Sequence, residues 1–214
     1  MRKSFHSILG TLTLAATAMA GNQTVITATQ DGVYQLGYAA NLGAGDSNIN
    51  LTNSGASATT FDSTICANVY VLADDQQLIA CCSCQLTPNH LQTLSVVNNL
   101  IANTLTPGIP TDVTIAMIAS SGTGTGGVCN PATPTAEGPP GSDVLVRGLV
   151  TWGTTIHAQP AGGYSSNDYE TKNATLSAVE LAKLTSYCAF IEADGSGFGI
   201  CKTCGQGAAG AARQ

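Results

Sequence analysis

Apolar and polar residues alternate with period two along much of the chain, the pattern of strands that bury one face. Thr24–Thr29 and Val33–Ala39 alternate on either side of Asp31-Gly32, a pair suited to a tight hairpin turn. Asn48–Thr52 is a short run closed by Asn53-Ser54-Gly55. Thr64–Leu72 and Gln77–Gln85 flank Ala73-Asp74-Asp75-Gln76 and predict a second hairpin. Val113–Ala119 follows Pro110, and Val144–Ala158 is the longest alternating run. That run sets Val144, Val146, Val150, Trp152 and Ile156 on one face and Arg147, Thr151, Thr155 and His157 on the other. It is too long for a plain strand and calls for a bulge or bend at Gly148 or Gly153.

The period changes to that of a helix near the end of the chain. Ser177 is a good N-cap, Glu180 completes a capping box, and Leu176 and Leu181 suit the accompanying hydrophobic staple. Leu181, Leu184, Cys188 and Ile191 recur at helical spacing, and Gly195 supplies a stop. The expected helix covers about 177–193. A shorter one is expected over Val96–Asn103. Ser120–Ser142, rich in Gly, Thr and Pro, reads as a long loop interrupted by Cys129, and Gly205–Gln214 as a flexible tail. Short strands punctuated by turns, followed by one helix, predict a single mainly β domain over residues 21–204. Its expected form is an antiparallel β-sandwich, immunoglobulin-like or related, with one helix near its C-terminal end.

The first twenty residues read as a cleavable export signal. Arg2 and Lys3 precede the apolar and small residues Ile8–Ala20, and Ala18-Met19-Ala20 is a small-x-small cleavage site before Gly21. The apolar stretch is shorter than the roughly 20 residues of a membrane span, and no later run is long and apolar enough for one. The expected location is secreted, periplasmic or at the cell surface. Cleavage leaves five basic residues against thirteen acidic ones, a net charge of −8 with His neutral. Such a balance argues against nucleic acid and against anionic membrane surfaces as partners. Only 9% of residues are charged, against roughly 25% in an ordinary domain. The chain's 27 threonines fill many of the polar positions, which again favours strands.

Export changes the reading of the cysteines. Cys66, Cys81, Cys82, Cys84, Cys129, Cys188, Cys201 and Cys204 all lie in the mature chain, and an even number in an oxidising compartment predicts disulfides. Cys82 and Cys84 share a strand face and Cys81 points to the other. A bond from Cys66 across the second hairpin to the 81–84 cluster is expected, as is a tether at Cys129. Cys188 is expected to pair with Cys201 or Cys204. The metal alternative takes thiolates from Cys201-x-x-Cys204 with Cys82 and Cys84, but a lone C-x-x-C is weak and oxidation competes with metal capture. No metal site or cofactor is expected.

Other chemistry is thin. His90 follows Pro88-Asn89 in a turn, and His157 ends a strand on its more polar face. A triad of Ser, His157 and Asp168 lacks any G-x-S-x-G support. Glu192, Asp194 and Ser196 before Gly197 have a calcium-loop rhythm, but Thr203 stands where the bidentate glutamate belongs. A helix end followed by a Gly-rich turn accounts for the segment. Asn22, Asn50 and Asn173 begin glycosylation sequons. No catalytic residue is assigned.

Two segments carry a resemblance: Ala80-Cys81-Cys82-Ser83-Cys84 to Thr87-Pro88-Asn89, and Gly197-Phe198-Gly199-Ile200-Cys201-Lys202-Thr203-Cys204. They resemble exported proteins of environmental bacteria, a group with no activity attached to it. The resemblance implies a bacterial origin and brings no site residues. The expected function is non-enzymatic binding or assembly, with a protein or glycan partner or self-association. The alternatives are a secreted hydrolase with a loop-built site and, behind it, a cysteine metal-binding protein.

Overall fold

The computed structural model describes residues 32–57, 63–123, 127–139, 141–202 and 204. Nine strands form two antiparallel sheets: β1 (Tyr34–Ala39), β2 (Asn48–Asn53), β3 (Ile65–Ala73), β4 (Leu78–Leu86), β5 (Leu91–Ser95), β6 (Val113–Ser120), β7 (Leu149–Ala158), β8 (Tyr164–Glu170) and β9 (Lys172–Asn173). The five-stranded sheet runs β4-β3-β6-β1-β9 and the four-stranded sheet β5-β2-β7-β8. Helix α1 (Ala178–Asp194) completes the fold.

The expected mainly β architecture with one late helix is the observed one. The hairpin across residues 73–76 forms as β3 and β4, with Ala73 N donating to Gln77 O at 3.0 Å. The first expected hairpin involves Thr24–Thr29, which lies outside the described residues, as do the expected export signal over residues 1–20 and the expected tail over 205–214. β1 takes β6 as one neighbour and β9 as the other. Val96–Asn103 forms only a π-helical turn, Val96–Leu100, with Ser95 as its N-cap.

The inner faces of the two sheets share one core. Ile49, Leu51 and Leu149 from the four-stranded sheet meet Val69, Ile115 and Met117 from the five-stranded sheet. A second apolar cluster lies on the other side of the five-stranded sheet. There Tyr70, Cys81 and Ile118 pack beneath Leu181, Leu184, Cys188 and Ile191 of α1. Residues Ile65–Val71 of β3 are accordingly all buried, because this strand is covered on both faces. The N-cap forms as predicted, with Glu180 N donating to Ser177 Oγ at 3.0 Å, and Gly195 ends the helix in the left-handed region (φ 66°).

Four disulfides hold the layers: Cys66–Cys129, Cys81–Cys188, Cys82–Cys201 and Cys84–Cys204. The opposed faces of Cys81 and of the Cys82/Cys84 pair are as predicted. Two expected pairings are not. Cys188 bonds Cys81, because the buried face of α1 lies directly on the outer side of β4. Cys66 bonds Cys129 of the long loop rather than the 81–84 cluster, because its cross-hairpin neighbour is Gln85. The tether at Cys129 is as expected.

The chain beyond α1 returns along β4, the edge of its sheet. Cys81 N donates to Gly199 O at 2.8 Å, and Cys201 N donates to Cys81 O at 3.4 Å. The five-stranded sheet is thus covered by α1 on one face, by the other sheet on the second, and by the C-terminal segment along β4. No helix among the described residues is long and apolar enough to cross a membrane.

Candidate functional site: the cleft beside Trp152

The long alternating run breaks at Gly148, whose φ of 116° takes the chain out of extended conformation. A side chain there would also press on Asn53 Oδ1, 3.0 Å from a Cβ. Beyond that break, β7 turns Leu149, Thr151, Gly153 and Thr155 inward and leaves Val150 and Trp152 outward. The threonine-bearing face packs against the other sheet, and the Val150–Trp152 face meets solvent.

The inward threonines are tolerated because each has a partner. Ala40 N donates to Thr155 Oγ1 at 3.1 Å. Gln35 of β1 reaches across the sandwich, donating from Nε2 to Leu149 O at 2.8 Å. Its Oε1 accepts from Thr151 N at 3.1 Å and from Thr151 Oγ1 at 2.6 Å. The side-chain amide therefore stands in for a neighbouring strand on the edge of β7, which β8 no longer covers. β8 pairs with β7 only as far as Glu170 opposite Trp152. The chain then crosses through Thr171 to become β9 at the edge of the other sheet.

Where β8 leaves, a cleft of about 660 Å³ opens. Gln35, Thr151 and Thr171 form its floor, and Val150, Trp152, Asp168 and Glu170 are among its walls. Tyr169 anchors the crossover. Its hydroxyl accepts from Tyr38 N at 3.0 Å, and its ring lies 4.9 Å from that of Tyr38. Glycines at 37 and 153 admit it: a Cβ at Gly37 would lie 2.8 Å from the Tyr169 hydroxyl, and one at Gly153 would lie 3.1 Å from its ring. Burial raises the Tyr169 hydroxyl pKa, so this contact stays a neutral hydrogen bond in the physiological range.

The outer face beside the cleft carries a row across four strands, Thr93, Asn50, Trp152 and Glu170 in register. Trp152 is 37% and Val150 44% exposed. Asn50 Oδ1 accepts from Thr93 Oγ1 at 2.7 Å. Among the described residues, the Asp168 and Glu170 carboxylates have no hydrogen-bond or ion-pair partner.

A second polar cluster lies beneath α1 and is internally satisfied. Asp143 accepts from Gly122 N and Thr133 Oγ1, each at 3.0 Å. Tyr70 donates to Pro131 O at 2.6 Å. Burial raises the Asp143 and Glu192 carboxyls and, helped by both their charges, lifts the Tyr70 hydroxyl well above its ordinary value. These groups pin the 120–143 loop to the sheet.

The histidines do not converge. His90 adjoins Leu91, which lies across β2 from Val150 through Thr52. His157 is seven residues further along β7, about 23 Å at ~3.3 Å per residue. His157 shares the inward parity of Thr155, whereas Asp168 pairs with outward Thr154, so the imagined triad is split between two faces. Gly195 caps the helix and Ser196 Oγ accepts from Phe198 N at 3.2 Å, as the helix-end reading of this segment requires; Thr203 lies outside the described residues. All eight cysteines are in disulfides, and no group of three or more His, Cys, Asp or Glu that could hold a metal occurs among the described residues.

Sequence reasoning placed Trp152 on an apolar strand face but missed the cleft. Its other wall is β8, whose sequence Tyr-Ser-Ser-Asn-Asp-Tyr-Glu has no apolar alternation because most of its residues face water. Tyr169 stands directly opposite Gly153 and reaches Gly37 with its hydroxyl, a juxtaposition that only the fold brings about.

No protein-family model matches the chain, and no curated protein matches it. Among solved structures, Thermotoga maritima 1070 is similar at a TM-score of 0.37 and 9% identity, over 68% of this chain and 97% of its own.

Proposed function

We propose that the protein is an exported, non-enzymatic binding protein of bacterial origin that recognises its partner with the outer face of the four-stranded sheet. The observation that carries this reading is the asymmetry between the sheets. The five-stranded sheet is covered on both faces and along β4, while the four-stranded sheet leaves an exposed Trp152 beside a cleft. Exposed large aromatic residues at a concave surface are where binding energy concentrates. Four disulfides support the assignment to an oxidising compartment, and the export signal then directs the chain out of the cytoplasm.

The hydrolase alternative has one observation in its favour, the presence of Asp168 and Glu170 in the same cleft. Both project from one strand, two residues apart, and so form one wall. Glycoside hydrolysis needs carboxyls flanking the bond to be cut. With the histidines separated, the geometry supports binding better than catalysis.

Hydrogen–deuterium exchange tests the placement. The mature chain, residues 21–214, is mixed with the soluble extracellular fraction of its producing cells. Slowed exchange in 150–154 and 165–171, with α1 unchanged, is expected. Protection confined to α1 or to the β4 edge would move the binding surface elsewhere.

A further inference from the structure

We infer that the cleft beside Trp152 binds a neutral oligosaccharide, a segment of an uncharged extracellular polysaccharide. This rests on the reading of the four-stranded sheet as the binding surface and names the class of ligand. The indole of Trp152 offers an apolar face with a polar edge, which suits a sugar ring whose C–H groups cover one side while its hydroxyls ring the rim. Around it stand groups that pair with hydroxyls: the open carboxylates of Asp168 and Glu170, which accept, and Ser54, which both donates and accepts. A volume of about 660 Å³ falls within the roughly 300–1,000 Å³ of small-molecule sites.

Charge narrows the class. No Lys, Arg or His lines the cleft among the described residues, and two carboxylates do, so an anionic polysaccharide is repelled. A compact cation would find one tryptophan and two acids, but Tyr169, the only other aromatic lining residue among the described residues, is half-buried with its hydroxyl accepting from Tyr38 N. Such a ligand would also leave the Ser54 hydroxyl unused, whereas a ligand with many hydroxyl groups pairs with it and with both carboxylates.

Binding is preorganised. Gln35, Thr151 and Thr171 are already bonded to one another and to the β7 backbone, so the floor does not rearrange to receive a ligand.

Trp152 is the chain's one tryptophan, so intrinsic fluorescence reads this site alone. Emission of the mature protein is recorded during titration with soluble neutral polysaccharides (β-glucan, xylan, mannan, starch), with polygalacturonate, and with choline. Mobility in native gels containing the same polymers is measured in parallel. A blue shift and gel retardation with at least one neutral polymer, and neither with polygalacturonate, are expected. Trp152→Ala should weaken retardation at least tenfold, Trp152→Phe less, and Glu170→Gln several-fold, while Val179→Ser on the exposed side of α1 leaves it unchanged. Circular dichroism of each variant shows whether it is folded.

The inference is overturned if no neutral polymer shifts emission or mobility, if Trp152→Ala is retarded as strongly as the parent, or if choline alone shifts the emission. Release of new reducing ends would replace binding by catalysis. Failure with every polysaccharide, alongside exchange protection of 150–171 by an extracellular protein, removes the glycan and leaves the surface. Failure of both removes the surface as well.

Discussion

Gln35 is the residue on which the cleft floor depends. Its amide occupies the place of a strand beside β7, satisfying Leu149 O and Thr151 N. Removing it leaves two backbone groups at the floor without partners, each costing about 1–3 kcal/mol where water does not reach. Gln35→Ala should therefore lower stability to urea by about 2–6 kcal/mol and speed amide exchange at Thr151, which two-dimensional NMR would resolve. Asp143 acts differently. Burial holds its carboxyl above the ordinary range, so the folded chain binds more protons than the unfolded one between the two values. Stability then falls as pH rises through that interval. Asp143→Asn keeps an acceptor for Gly122 N and removes the titration. The variant's stability, followed by thermal melts from pH 3 to pH 7, should decline less steeply than the parent's, by at most about 1.4 kcal/mol per pH unit. Neither residue announced its part in the sequence. Gln35 is one polar position in the Val33–Ala39 run, and Asp143 falls between the Ser120–Ser142 loop and the run that begins at Val144. Each is explained only by what the fold lays over it.

The elements were legible where an apolar or alternating run is bounded by turn residues, whether packing covers one face, as in β2, or both, as in β3, and not where it covers neither, as in β8. β1, β2, β3, β4, β6 and α1 follow alternation or helical spacing that the core enforces. β8 has little apolar contact and no pattern to read. The run from Val144 was legible as extended and as needing a bulge or bend at Gly148 or Gly153; the break falls at Gly148, whose φ is 116° and where a Cβ would lie 3.0 Å from Asn53 Oδ1. The Cys188 pairing was not legible, because α1 docks over Cys81 and Ile118 on the outer side of the sheet, at a sequence separation of 107 for the bond itself. At this scale, Cys81→Ala combined with Cys188→Ala should cost about 2–5 kcal/mol. Exchange of the α1 amides should rise more than that of β2 and β7, because the helix loses its covalent tie while the central core stays packed. Equal acceleration everywhere would mean that α1 and the sandwich unfold as one unit.

Taken whole, the molecule is a sandwich with one sheet closed and one open. The disulfides that close it bridge sequence separations of 63, 107, 119 and 120 residues, loops for which the chain-entropy model gives about 4–5 kcal/mol apiece. Even half of their combined effect is comparable with the roughly 5–15 kcal/mol net stability of a domain. Reduction at neutral pH should abolish the near-ultraviolet circular dichroism of the tyrosines and Trp152. The closure is also why we propose the four-stranded sheet as the binding surface, since the chain's own C-terminal part occupies the other. The disulfide map tests this most directly. Partial reduction with differential alkylation, read by tandem mass spectrometry, should return Cys81–Cys188, Cys82–Cys201 and Cys84–Cys204 together with Cys66–Cys129. A Cys201–Cys204 bond, a Cys188 bond to either of them, or free thiols in that group would release α1 and the final segment from β4, and would contradict the account.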